Sequence, residues 1–262
     1  MINKKLYRIL YIDPVGEKPA VQSAIKEYLL RYSDPEHVEI DITCLDFGPH
    51  ALESYFYLSL IEADVLRKVK KAEKDGYDAA IIGCFCDPAL NSAKEICERM
   101  VVVGVMEPAV HIAAQLAPRF SILAASRVSI DDFRANLSKY GLTEKLASFR
   151  TLDVPVVELM RDPSVTERRM KEEISKAIQE DRAEAIVLGC TLQFGHFLEL
   201  QKEFGVPVID PILAGLRGAE YLISLRDSFN WYTSKVCTYS GTKVQEMKEW
   251  GMIENYKLEG LF

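Results

Sequence analysis

The chain has no run of about 18 apolar residues, the length a helix needs to cross a bilayer, and this argues against a membrane span. Positive charge is also short: 32 Lys and Arg against 39 Asp and Glu leave a net charge of −7. That balance gives no electrostatic reason to bind nucleic acid and mildly opposes an anionic membrane surface. Neither Gly-x-Gly-x-x-Gly nor a Walker P-loop occurs, so the usual cradles for dinucleotide and nucleotide phosphates are missing. Six cysteines (Cys44, Cys84, Cys86, Cys97, Cys190 and Cys237) in 262 residues are too few for a disulfide scaffold. Cys84-x-Cys86 lacks the spacing of a zinc or redox pair, and no second Cys or His pair completes a tetrahedral set. We expect no metal and no cofactor. The N-terminal stretch to Asp13 is too broken by polar residues to be a signal peptide's apolar core, so the expected location is cytoplasmic, with reduced thiols.

What is present is a core and a repeat. With 48% hydrophobic residues the chain can bury one large core or two ordinary lobes. Asp-Ala-Ala-Ile-Ile-Gly-Cys at 78–84 returns as Glu-Ala-Ile-Val-Leu-Gly-Cys at 184–190, matching in character at every position. Each copy is short, nearly all apolar and preceded by a charged helical pattern, as expected of a buried parallel strand.

Around the two copies the chain alternates. Strands are expected at 6–12, 38–45, 77–84 and 101–105, with helices at 19–32, 51–76 and after Asp87-Pro88. The pattern restarts with a helix at 109–116, strands at 120–125, 149–157, 185–190 and 206–209, and helices at 128–140, 166–180 and 197–204. Parallel strands need crossover helices, so this order predicts an α/β fold of two pseudo-symmetric doubly wound lobes, each on a parallel four-stranded sheet, with a cleft between them. Residues 1–105 would form the first lobe and 106–211 the second. A helix from Ile212 would return to the first lobe, and the aromatic tail to 262 (Trp231, Tyr232, Tyr239, Trp250, Tyr256, Phe262) would dock on the chain or on a neighbouring copy, which favours a homo-oligomer.

In open α/β sheets ligands bind beyond the carboxyl ends of the strands, where both Gly-Cys pairs fall. A single buried cysteine is more often core than catalyst; the duplication is what singles out Cys84 and Cys190. A thiol beside a helix start meets orphan N–H groups and the positive dipole end, which favour thiolate. Two such thiols on opposite faces of a small-molecule substrate form a device for proton exchange at carbon: one removes a proton, the other delivers one. The amides of Phe85, Cys86, Thr191 and Leu192, with the Thr191 hydroxyl, are placed to hold an enolate-like oxygen. Asp13 and Ser126 occupy equivalent strand-end loops and are candidates to line the site. Asp87 and Thr191 have an alternative as helix caps, Glu107 and Asp210 read slightly better as helix starts than as site residues, and His50, His111 and His196 are scattered.

Gly83-Cys84-Phe85-Cys86-Asp87-Pro88-Ala89-Leu90 and Leu188-Gly189-Cys190-Thr191, within a β/α duplication, resemble the aspartate/glutamate/hydantoin racemase superfamily over about residues 5–225, and the first motif is closest to its hydantoin and allantoin branch. The resemblance implies two α/β lobes, Cys84 and Cys190 as the catalytic pair, and cofactor-independent 1,1-proton transfer. The first loop reads Asp13-Pro14-Val15 where hydantoin racemases tend to carry Asn-Pro-Asn, and Thr191 is closer to the amino-acid racemases, so the substrate is hydantoin-like or amino-acid-like. A maleate-type cis-trans isomerase, a decarboxylase and a non-catalytic binding protein remain alternatives; keeping both cysteines disfavours the last two.

Overall fold

The computed structural model describes residues 6–241 and 243–262. Strands β1 (Tyr7–Asp13), β2 (Val38–Cys44), β3 (Ala79–Ile82) and β4 (Val101–Val103) form one parallel sheet in the order β2-β1-β3-β4. Strands β5 (Phe120–Ala124), β6 (Leu146–Thr151), β7 (Ala185–Leu188) and β8 (Val208–Ile209) repeat that order as β6-β5-β7-β8, again all parallel. The helices are α1 (Pro19–Tyr32), α2 (Tyr55–Lys74), α3 (Leu90–Ile96), α4 (Met106–Leu116), α5 (Ile130–Lys139), α6 (Pro163–Gln179), α7 (Phe197–Phe204) and α8 (Pro211–Phe229), then α9 (Val244–Glu249) and α10 (Met252–Asn255).

Each sheet is covered on both faces, which is why β3 and β7 are apolar throughout rather than alternating. Leu10 and Ile12 of β1 face α2 residues Ile61, Val65 and Val69 in one core. In the second sheet Leu123, Ile186 and Leu188 pack with Met170 and Ile174 of α6. The opposite faces of both sheets share a third core, in which Ile9 and Tyr11 meet Phe120 and Ile122 through Met106, Val110, Ile212 and Leu216. Helices α4 and α8 form the middle of that core by exchanging sides: α4 follows the first sheet but packs on β7 and β8, and α8 follows the second but packs on β3 and β4.

Two buried carboxylates fix the exchanged helices. Asp210 accepts from the Ile212 and Leu213 amides at the start of α8 (2.9 and 3.3 Å) and from the Tyr28 hydroxyl of α1 (2.7 Å). Asp87 accepts from the Val105, Met106 and Glu107 amides at the start of α4 (2.8, 3.0 and 2.9 Å) and from the Tyr140 hydroxyl just beyond α5 (2.7 Å). Glu107 stands in the first turn of α4, as a helix start, and binds Lys94 (2.6 Å), while Asp87, twenty residues earlier in the chain, accepts from the first amides of that helix.

Several boundaries differ from the sequence reading. Asp87 and Ala89 adopt positive φ (46° and 56°), so α3 starts at Leu90 rather than at Pro88. Helix α4 begins at Met106, three residues early, because Asp87 supplies acceptors for its first amides. The apolar residues near Pro155 belong to a short 3-10 turn, Val156–Glu158, not to β6. The tail docks on the chain itself: Tyr239 donates to Asn91, Lys235 to the Lys94 and Glu95 carbonyls, and the Arg99 guanidinium lies over the Tyr232 ring, 4.6 Å from its centre.

Candidate active site

The two Gly-Cys pairs follow the central strands β3 and β7, and glycine is forced in each by a different neighbour. A Cβ on Gly83 would lie 2.3 Å from the ring of Tyr11 on β1, and one on Gly189 would lie 2.9 Å from the Leu123 carbonyl on β5. The close approach lets each chain turn out of its sheet directly into the cysteine. The Cys84 turn is closed by the Asp87 amide on the Cys84 carbonyl (2.9 Å). The Cys190 turn is closed by the Gln193 amide on the Cys190 carbonyl (3.0 Å), while Gln193 Oε1 accepts from the Cys190 amide (3.1 Å).

Both turns open into one cavity of about 70 Å³. By the measure in which one water occupies about 10–15 Å³, this is room for on the order of five waters, or a small ring. Cys84, Cys190, Phe85, Cys86, Thr191, Leu192 and Asp13 all line it. Ser126 does not: its hydroxyl donates to Glu53 (2.8 Å), whose other oxygen accepts from the Val156 amide (3.2 Å), so this serine ties the β2–α2 loop to the second half of the chain. The loop after β1 borders the cavity through Val15, whereas the sequence reading missed Lys18, His50, Val21, Ser129, Phe133 and Val156 in the walls. Lys18 Nζ donates to the His50 carbonyl, closing one side. His196 stands at the start of α7 and is not among the lining residues.

Burial dominates the electrostatics. It pushes the Cys190 thiol up to about 12, and the Leu192 amide on its sulfur pulls only partly the other way; the Cys84 and Glu53 charges add to the rise and Lys18 opposes it. Orphan amides at a helix start therefore do not prevail at Cys190, which rests as a thiol at neutral pH. Cys86 is raised as well, first by the neighbouring Cys84 and then by burial. Asp13, 7% exposed, is pushed up to about 6 by burial, against the Gln22 Nε2 hydrogen bond (3.0 Å) and the Lys18 charge. The site thus offers three cysteine sulfurs, a carboxyl that titrates close to neutrality and mostly apolar walls. Among the described residues, no group of three or more His, Cys, Asp or Glu side chains is arranged to hold a metal ion.

A sequence model of the family described as Asp/Glu/Hydantoin racemase matches residues 19–219. The chain is 37% identical over 215 residues to a hydantoin racemase from Pseudomonas sp. (strain NS671), covering 80% of this chain and 81% of that one. Among solved structures it resembles allantoin racemase from Klebsiella pneumoniae, with a TM-score of 0.83 and 29% identity over 90% of this chain and 94% of that chain. The maleate isomerase Iso from Pseudomonas putida S16 shares the fold alone, with a TM-score of 0.62 and 14% identity over 83% of this chain and 93% of that one.

Proposed function

The chain belongs to the Asp/Glu/hydantoin racemase family, and we propose that it racemises small 5-substituted hydantoins by a cofactor-independent exchange of protons between Cys84 and Cys190. The observation that carries this reading is that the thiols from the two equivalent strand ends line a single cavity. Cys190 begins as a thiol. The Cys84 thiolate takes the proton from C5, leaving an enolate whose oxygen is held by amides of the two turns, and the Cys190 S–H delivers its proton to the opposite face. One S–H bond and one C–H bond form as one C–H and one S–H break, so the product is the enantiomer and the charge has moved from one sulfur to the other. The second enantiomer reverses each step.

The choice of a hydantoin over a free amino acid or a dicarboxylate follows from charge. Among the described residues, Lys18 is the only Lys or Arg that lines the cavity; it is engaged by the His50 carbonyl and its charge acts on Asp13. A neutral cyclic diamide needs no carboxylate clamp, and its ring N–H groups find an acceptor in Asp13. Val15, Val21, Phe133, Val156 and Leu192 favour an apolar substituent at C5 over the ureido group of allantoin.

The same reading takes 1–105 with 212–262, and 106–211, as the two lobes, supported by α8 packing on the first sheet. It sets the enzyme in the reducing cytoplasm, supported by six unpaired cysteines, and as an assembly of copies, supported by the exposed Tyr221, Phe229 and Trp231.

The test is incubation of single enantiomers of a 5-alkyl hydantoin, allantoin and glutamate, and of maleate, followed by chiral chromatography. Loss of enantiomeric excess with the hydantoin is expected, with allantoin slower. Turnover of maleate or glutamate alone would replace this reading.

A further inference from the structure

The two strand-end cysteines are held by different means. The Cys84 amide donates to a main-chain carbonyl, that of Ile82 (3.0 Å). Cys190 lies one step past Gly189, whose own amide still bonds Leu123 of β5 (2.9 Å), and the Cys190 amide donates to a side chain, Gln193 Oε1 (3.1 Å). Gln193 grips the same residue a second time. Its main-chain amide donates to the Cys190 carbonyl (3.0 Å) and to the Cys190 sulfur, so the two residues cap each other across the 3-10 turn Thr191–Gln193. The residue at the matching place after Cys84 is Asp87, and its carboxylate serves α4 instead.

Gln193 is completely buried, and its Nε2 has no hydrogen-bond partner among the described residues. A side chain present only to fill that space would be apolar, because a buried amide nitrogen without an acceptor carries a cost that leucine or methionine avoids. What sets glutamine apart from those residues here is its oxygen, and that oxygen binds the backbone of Cys190.

We propose that Gln193 is a positioning residue for Cys190: from behind the cavity wall its Oε1 and its main-chain amide fix the backbone and the sulfur of that cysteine, and so set the distance and angle at which the sulfur exchanges a proton with C5. Gln193 is not among the residues that line the cavity, and it neither gains nor loses a proton. This rests on reading Cys190 as one of the two acid-base thiols.

The experiment compares the wild type with Gln193→Met, which is close in size but has no oxygen acceptor, and with Gln193→Glu, which keeps one. Two quantities are read for each enantiomer of a 5-alkyl hydantoin: kcat/KM, and the isotope effect on it of ²H at C5. A misplaced sulfur lowers kcat/KM in Gln193→Met by about tenfold or more. The loss is equal for the two enantiomers, because they are equal in free energy. The isotope effects move apart. For the enantiomer from which Cys190 takes the proton, C–H cleavage becomes more fully rate-limiting and the effect rises. For the other, cleavage by Cys84 becomes reversible ahead of slow protonation by Cys190, and the effect falls toward unity. Gln193→Glu restores both. Loss of activity with unchanged isotope effects is what a merely less folded protein would give, and it would overturn the proposal, as would equal losses in the Met and Glu variants. Hydrogen exchange at the Cys190 amide, followed by ¹⁵N NMR without substrate, should be faster in Gln193→Met and restored in Gln193→Glu; unchanged exchange would also overturn the proposal. If Gln193→Met does not fold, Gln193→Asn, one methylene shorter, is read in the same way. Failure of the racemase reading is a different result, absence of racemisation by the wild type.

Discussion

Replacing Asp13 by Asn should make the protein more stable and less active, and the gain should depend on pH. Asp13 closes β1 at the cavity, 7% exposed, with its carboxyl raised from 3.8 to about 6 mainly by burial. A folded-state value above the unfolded one means that the carboxyl's contribution is complete below pH 3.8 and is lost as pH rises to about 6; above that, a buried carboxylate is a net cost. A shift of about two units corresponds to about 3 kcal/mol. Asparagine keeps an acceptor for Gln22 Nε2 and carries no charge, so Asp13→Asn should gain up to about 3 kcal/mol at pH 7.5 and almost nothing near pH 4. For a chain of this size that is a rise in Tm on the order of 6 °C. Urea unfolding at pH 4 and 7.5 measures it, and kcat/KM for a 5-alkyl hydantoin at pH 7.5 should fall about tenfold or more as a charged acceptor for the ring N–H is lost. Destabilisation at pH 7.5, or a gain of equal size at both pH values, would refute the burial argument.

The exchanged helices give a second prediction: Tyr28→Phe and Tyr140→Phe each remove the hydroxyl from a buried carboxylate, and each should cost about 1–3 kcal/mol by denaturant unfolding. The costs should add in the double variant, since the two carboxylates share no partner in the hydrogen bonds described above. A third concerns the strand ends: Gly83→Ala places a methyl 2.3 Å from the Tyr11 ring, so it should destabilise by about 1–3 kcal/mol and shift Cys84 enough to lower kcat. A Gly83→Ala protein with wild-type stability and kcat would mean that the approach of β1 to β3 does not set the cysteine's position.

The sheets, their four-strand repeat and the two Gly-Cys turns were legible because they rest on local signals: apolar runs flanked by turn residues, and a repeated heptapeptide. Cys84, Cys190 and the residues next to them came with those turns. Lys18 and His50 did not, since each stands in a loop whose only route to the cavity is the tertiary fold, and Lys18 reads locally as the residue before a proline-started helix. The part played by Asp87 was half visible as a cap, but the helix it caps starts at Met106 on the far side of β4. Ser126 was drawn in by its equivalence to Asp13, and the pseudo-symmetry fails there because Glu53 takes its hydroxyl. The high affinity of Cys190 for its proton was hidden for a similar reason: a helix start is a sequence signal, and the depth at which the sulfur is buried is not.

The central claim is that two thiols act from opposite faces, and the most direct measurement is ²H exchange at C5 of each enantiomer of a slowly racemising 5-alkyl hydantoin in ²H₂O, followed by NMR, with the wild type, Cys84→Ser and Cys190→Ser. A serine hydroxyl is too weak an acid to replace either thiol near neutral pH, so both variants should lose racemisation by about 10³-fold or more. Each should still exchange the proton of one enantiomer, and the two variants should choose opposite enantiomers. Substantial racemisation by either variant, or exchange of the same enantiomer by both, would contradict the account.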